Sequence, residues 1–213
     1  MTPSGRFVTF EGGEGAGKST QIRRLAETLG RSHLSLVVTR EPGGTPGAEA
    51  IRDLLLGGAP DHWLPLTEAL LVLAARSDHV SRRIRPALAA GQWVLCDRFA
   101  DSTRVYQGIA GGLGVTLVER LHKAVFGTLR PDLTLILDVP VEVGLTRRRG
   151  VEGSNRYEAM DRDFHERVRS GFLALAQREP ERCVVIDATR DEDAVASEIR
   201  AAVARRFALD LGR

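Results

Sequence analysis

The chain has 213 residues, 43% of them hydrophobic and 27% charged, with a formal net charge of +2. That length fits one domain, or one domain plus a mobile insertion, the composition excludes global disorder, and the balanced charge carries no nucleic-acid-binding signature. The longest apolar run, Ala69 to Ala75, falls far short of the roughly 20 residues that span a bilayer. No signal-peptide layout is visible, so a cytoplasmic protein without membrane association is expected.

In chain order, Phe7–Phe10 reads as a first strand and Lys18–Leu29 as a helix. Leu36–Thr39 is a second strand. Leu66, Leu70, Leu73, Val80, Ile84 and Leu88 then recur at helical spacing. Strands follow at Trp93–Asp97, Leu133–Asp138 and Cys183–Asp187, with helices at Val141–Arg149, Asp161–Gln177 and Asp191–Phe207. The strands are short and mostly apolar without strict alternation, as parallel strands covered on both faces are. Cys96 and Cys183 each precede an Asp in such a run, which predicts buried thiols and no disulfide. The rhythm predicts a single α/β domain over residues 1–213, a five-stranded parallel sheet with helices on both faces and ligands at the strands' carboxyl ends.

Gly12-Gly13-Glu14-Gly15-Ala16-Gly17-Lys18-Ser19 fits G-x-x-x-x-G-K-[ST], directly after a strand and opening a helix. This makes the expected fold one of the phosphate-loop nucleotide-binding type. Backbone N–H groups turn inward around a phosphate, and the helix N-terminus adds partial positive charge. Lys18 supplies a point charge for the β/γ-phosphates of ATP, and the Ser19 hydroxyl, followed by Thr20, can ligate Mg²⁺. The chain has 28 arginines but only two lysines, Lys18 and Lys123, so a Lys kept at position 18 marks function. Asn155 is the only Asn, and Arg156 follows it, which excludes the N-K-x-D motif of guanine-specific switches. Asp97 ends an apolar strand and is expected to hold Mg²⁺ through water; Asp138 ends another and reads as structural. The five histidines show no ligand spacing.

Three further clusters complete the pattern: Thr39-Arg40-Glu41-Pro42-Gly43-Gly44-Thr45, Ala74-Ala75-Arg76, and Asp97-Arg98-Phe99-Ala100-Asp101-Ser102-Thr103-Arg104-Val105-Tyr106-Gln107-Gly108. With the phosphate loop they resemble the bacterial thymidylate kinases, from about Arg6 to about Arg206. The resemblance implies transfer of the γ-phosphoryl group of ATP to thymidine monophosphate (dTMP), on the route to dTTP, with Mg²⁺ and without a covalent intermediate. Arg40, Arg76 and Arg98 are the expected acceptor-phosphate clamp, since planar guanidinium forks match phosphate oxygens. By resemblance Glu14 lies near the sugar 3′-hydroxyl, Tyr106 against the deoxyribose, and Ser102, Thr103 and Gln107 at the thymine edge, with Pro42 also among the residues expected to bind dTMP. Where relatives carry a ring-stacking Phe four residues before the helix arginine, this chain has Val72; Phe99 and Trp63 are the aromatics placed to compensate. Asp187 to Arg190, Thr189 included, are implied near the adenine.

Residues 147–158 break the helical pattern with Gly and Ser and carry Arg147, Arg148, Arg149 and Arg156, as a closing lid does. The phosphate loop has no Arg, so the resemblance places the catalytic cation in the lid. Arg156 is the first candidate, beside Lys18, Arg98 and Asp97, and Arg149 the second, on the ATP side. Rival readings are a kinase of another deoxynucleotide or of a deoxynucleoside, and a non-catalytic nucleotide-binding regulator. The family is commonly homodimeric, and the apolar helix from Leu66 is compatible with that.

Overall fold

A computed structural model describes residues 5–149 and 156–211. Its strands are β1 (Phe7–Glu11), β2 (Leu36–Arg40), β3 (Trp93–Asp97), β4 (Leu133–Asp138) and β5 (Cys183–Asp187), all parallel, in the order β2-β3-β1-β4-β5. Every strand ends on a charged residue: Glu11, Arg40, Asp97, Asp138 or Asp187. The apolar runs stop where the sheet's carboxyl edge meets solvent and ligand.

Helix α1 (Lys18–Arg31) and α9 (Glu192–Phe207) cover one face, packing Leu25, Val195 and Ile199 on Val8, Phe10, Leu95 and Leu135. The other face carries two clusters. Leu73 of α3 (Pro65–His79) and Phe126 of α6 (Val115–Phe126) share one with Phe7, Val94, Cys96 and Phe99. Phe164, Val168 and Phe172 of α8 (Arg162–Arg178) share the other with Val105, Tyr106 and Ile136. Cys96 and Cys183 are buried free thiols, as predicted.

The long helix predicted from Leu66 to Leu88 is real but not uniform. It widens to i→i+5 hydrogen bonding over Val80–Ile84, where the Arg85 N–H reaches Val80 O, before α4 (Arg85–Ala89). Pro86 has no N–H to give to Arg82 O, so the regular ladder cannot run through that turn. Leu66 and Leu70 point outward, at 45% and 50% exposure, and do not join the core. Four segments were not predicted: α2 (Pro46–Leu56), α5 (Ala100–Thr103), the wide turn Arg104–Ala110 that continues it, and α6. Helix α7 (Val141–Arg148) then leads toward residues 150–155, which lie outside the described residues. Among the described residues no helix is long and apolar enough to cross a membrane.

Candidate functional site

The phosphate loop joins the central strand β1 to α1. Its tight course depends on Gly15: at φ +67° a Cβ there would lie 1.9 Å from the Gly144 carbonyl oxygen of α7. The approach is reciprocal, because a Cβ on Gly144 would lie 2.3 Å from the Glu14 carbonyl oxygen. Loop and α7 therefore touch backbone to backbone. The Lys18 ammonium donates to Gly13 O at 2.9 Å and Gly12 O at 3.3 Å. Burial pulls its pKa down, Arg98 adds to that, and nearby carboxylates oppose it. Ser19 Oγ donates to Asp97 Oδ2 at 3.0 Å, so the two residues expected to hold Mg²⁺ sit side by side. Asp138 instead pairs with Arg169 through two bonds of 2.7 and 2.9 Å.

An open cleft of about 1950 Å³ runs over the loop. Gly15 to Thr20 and Thr189 border it, while Gly12 and Gly13 line a smaller space behind the loop. Arg147 and Arg148, not Arg149, border it from α7; Arg147 donates to Ala188 O at 2.9 Å and Arg148 to Glu158 at 2.7 Å.

A second, inner cavity of about 630 Å³ opens beside it. Here the structure brings together Glu14, Pro42, Val72, Arg76, Arg98, Ser102, Thr103, Tyr106 and Gln107 from four separate stretches of the chain. Glu14, Glu41, Arg52 and Arg98 border both spaces, so the two meet at this group.

Arg98 is held in an unusual way. It is a non-glycine residue at φ +67°. Its own N–H bonds Phe10 O at 2.9 Å, and Glu11 at the end of β1 accepts from the next N–H, Phe99, at 2.8 Å and from Ser102 Oγ at 2.5 Å. A left-handed conformation persists only when the surroundings over-determine it. The guanidinium then bonds Gly12 O, Ser102 and Glu14 at 3.0–3.2 Å and lies 4.9 Å from the Tyr106 ring centroid. Burial pulls the Arg98 pKa down, but Tyr106, Glu14 and Asp97 outweigh it and the net shift is upward. Glu14 also accepts from Tyr106 OH at 3.0 Å. Burial raises its pKa, yet the Arg98 and Lys18 charges win and the carboxyl ends below its ordinary value. It is thus an ionised acceptor facing the cavity.

The three arginines expected as a clamp do not come together as one group. Arg76 is 2% exposed; its Nε donates to Glu41 at 2.6 Å and its Nη2 to Thr103 Oγ1 at 2.9 Å. Glu41 neutralises it in place. Its buried Nη1 has no partner, so its N–H donors are left for a neutral acceptor in the cavity. Arg40 borders only the outer cleft, exposed and paired with Glu49 at 3.0 Å. Arg52 of α2, which no sequence motif singled out, takes the place beside Arg98; its Nη1 bonds Pro42 O at 2.8 Å. Burial lowers its pKa, and the Arg40 charge adds to that.

Arg156 does not reach the donor cleft. Its side chain is fully buried, bonding Leu55 O at 3.2 Å, Pro60 O at 2.9 Å and the Glu68 carboxylate, while its backbone N–H bonds Leu56 O. Sequence spacing cannot show that a carboxylate 88 residues away will engage it. The adjacent Tyr157, also missed, forms part of the inner cavity's wall.

A phosphate loop at the centre of a parallel sheet, opening onto a second arginine-lined cavity, defines a nucleotide-dependent phosphotransferase of the α/β class. A thymidylate kinase family profile matches residues 10–199. The chain is 57% identical over 205 residues to the thymidylate kinase of Caulobacter vibrioides, covering 96% of this chain and 99% of that one. It is 56% identical over 202 residues to that of Nitrobacter winogradskyi, covering 93% and 88%. A crystal structure of thymidylate kinase from Ehrlichia chaffeensis superposes with a TM-score of 0.79 at 34% identity, covering 94% of this chain and all of that one. The chain belongs to the thymidylate kinase family.

Proposed function

We propose that the protein transfers the γ-phosphoryl group of ATP to dTMP, giving dTDP and ADP. The observation that carries this reading is the shared boundary of the two cavities, where Glu14, Arg52 and Arg98 meet. ATP lies along the outer cleft with its phosphates in the loop; dTMP enters the inner cavity with its phosphate toward Arg52 and Arg98. Placing both oxygens on one line at that boundary turns a bimolecular step into an effectively unimolecular one. Lys18 meets charge on the β/γ-phosphates, and Arg98 and Arg52 meet the acceptor phosphate.

Mg²⁺ fits the donors Ser19 and Asp97, two oxygens that leave the remaining positions to phosphates and water. Bound there it would neutralise phosphate charge. The unpartnered Nη1 of Arg76 takes a thymine carbonyl, Ser102, Thr103 and Gln107 flank the base edge, and Tyr106 and Glu14 face the sugar. A phosphorylated acceptor is favoured over a nucleoside by Arg52 and Arg98 together. Arg147 and Arg148 supply lid-side positive charge to the cleft, with Arg149 at the end of α7 as the next candidate. A cytoplasmic homodimer that binds no nucleic acid completes the reading.

The test is a panel of dTMP and the cytidine, guanosine and adenosine monophosphates with ATP and Mg²⁺, following ADP release. Turnover of dTMP well above the others is expected. Preference for another base, or no turnover, sinks the assignment.

A further inference from the structure

Glu68 lies in the first turn of α3, outside the inner cavity and eight residues before Arg76. It is 8% exposed, in a helix whose other buried positions are mainly apolar. A carboxylate is seldom buried without partners. This one has three. Its Oε1 accepts from Gln107 Nε2 at 2.7 Å, its Oε2 accepts from Arg156 Nη2, and the Tyr157 hydroxyl bonds it too. Gln107 Nε2 also reaches Tyr157 OH at 3.4 Å.

Those partners come from distant parts of the chain, and two of them line the cavity. Gln107 is on the wide turn after α5, and Tyr157 directly follows Arg156. The Arg156 guanidinium carbon lies 4.6 Å from the Tyr157 ring centroid, and that ring meets Tyr106 edge-on at 5.6 Å. Arg156 in turn anchors to carbonyls at the end of α2 and at Pro60. One carboxylate therefore sets the amide of Gln107 and, through Arg156, the position of the Tyr157 ring.

We infer that Glu68 is a positioning residue for acceptor recognition, and that Arg156 serves as its partner in holding the Gln107–Tyr157 wall, not as a group on the transferring phosphoryl. The inference rests on the inner cavity being the dTMP site. It assigns Arg156 to ground-state binding, whereas a transition-state cation would act on kcat.

The experiment uses the full chain with Glu68→Gln, Arg156→Met and the double variant. The single Gln oxygen serves either Gln107 or Arg156 and sets its NH2 against the other donor; Met keeps the apolar stem and removes the guanidinium. Steady-state kinetics vary dTMP at saturating ATP·Mg²⁺ and then the reverse, and calorimetry measures the dTMP dissociation constant. Each single variant is expected to raise dTMP KM and Kd about ten-fold or more, with kcat within about three-fold and ATP KM within about two-fold. The double variant should be no worse than the poorer single, because the pair acts as a unit. Loss of kcat by about 100-fold or more in Arg156→Met with dTMP KM unchanged would return Arg156 to the phosphoryl group and overturn the inference. Unchanged dTMP binding in both singles overturns it as well. A wild type inactive on dTMP removes the acceptor assignment and this inference together; an active wild type with unaltered variants removes this inference alone. Should Glu68→Gln not fold, Arg156→Met carries the same readout.

Discussion

Val72 faces the inner cavity at 8% exposure, beside Phe99 and Tyr157. Neither ring simply replaces a stacking Phe. Phe99 already carries the Arg76 guanidinium 4.9 Å from its centroid and packs against Phe7, and Tyr157 stands edge-on to Tyr106. Trp63, the other expected substitute, is turned to Leu54 O and does not border the cavity. A base–aromatic stack contributes about 1–3 kcal/mol in other nucleic-acid contexts. Val72→Phe is therefore expected to tighten dTMP binding by a few-fold to tens-fold in calorimetry; unchanged or weaker binding would show the space already filled. Glu11 gives a second residue-scale expectation. Burial, then the Asp101 charge, pushes its carboxyl from the ordinary 4.5 up to about 8, against the Ser102 bond and the Arg98 charge. The folded chain holds a proton there that the unfolded chain releases near 4.5. Its contribution to stability is thus complete below that value and is lost as pH rises to about 8. Glu11→Gln removes this exchange. The wild type's urea midpoint should fall relative to the variant's between pH 5 and 8, and a constant difference would mean that Glu11 titrates normally.

At Gly15 and Gly144 the loop and α7 meet backbone to backbone, and this sets an expectation at the scale of elements. Gly→Ala inside a helix ordinarily stabilises by about 0.5–1 kcal/mol. At Gly144 the added carbon would meet the Glu14 carbonyl oxygen at 2.3 Å, and a carbonyl on the phosphate loop cannot move aside without moving the loop. Gly144→Ala should then raise ATP KM or lower kcat by about ten-fold or more, as misplacement of about 1 Å does in other sites; wild-type kinetics with a raised melting temperature would refute the tight contact. Nothing in the sequence marks Gly144, because the contact joins residues about 130 apart. The strands were legible for the opposite reason: each is a local apolar run closed by a charge. Helix α6 was not, because its outer face also carries Leu117 and Val125, at 37% and 51% exposure, and three nearby glycines read as loop. The widened turn Arg104–Ala110 has no residue pattern of its own. Within the site, the motif residues were readable because they are contiguous; Arg52, Glu68 and Tyr157 reach it only through the packing of α2, α3 and the segment from residue 156.

At the scale of the whole molecule, α3 turns two faces to two tasks. Its inner face presents Val72 and Arg76 to the acceptor cavity, while its outer face shows Leu66 and Leu70. Helix α6 packs against α3 and adds Leu117 and Val125 to the exposed apolar side chains. Scattered exposed leucines need no explanation, but a group on two adjacent helices marks an interaction surface. The proposed homodimer would set a second copy of this chain here, with about 800 Å² covered on each partner for a stable interface. Light scattering after size exclusion should give the mass of two chains. Leu70→Glu is the discriminating change: at 50% exposure the side chain is tolerated in an isolated chain, but a carboxylate buried between two copies is desolvated without a partner. The variant should elute as a single chain with its circular dichroism intact. Its dTMP affinity should also weaken, since Leu70 and Val72 share one short stretch of α3 and a looser helix loosens the cavity wall. A dimeric Leu70→Glu variant, or a wild type that is monomeric at micromolar concentration, would remove α3 from the interface and leave its outer leucines as ordinary surface.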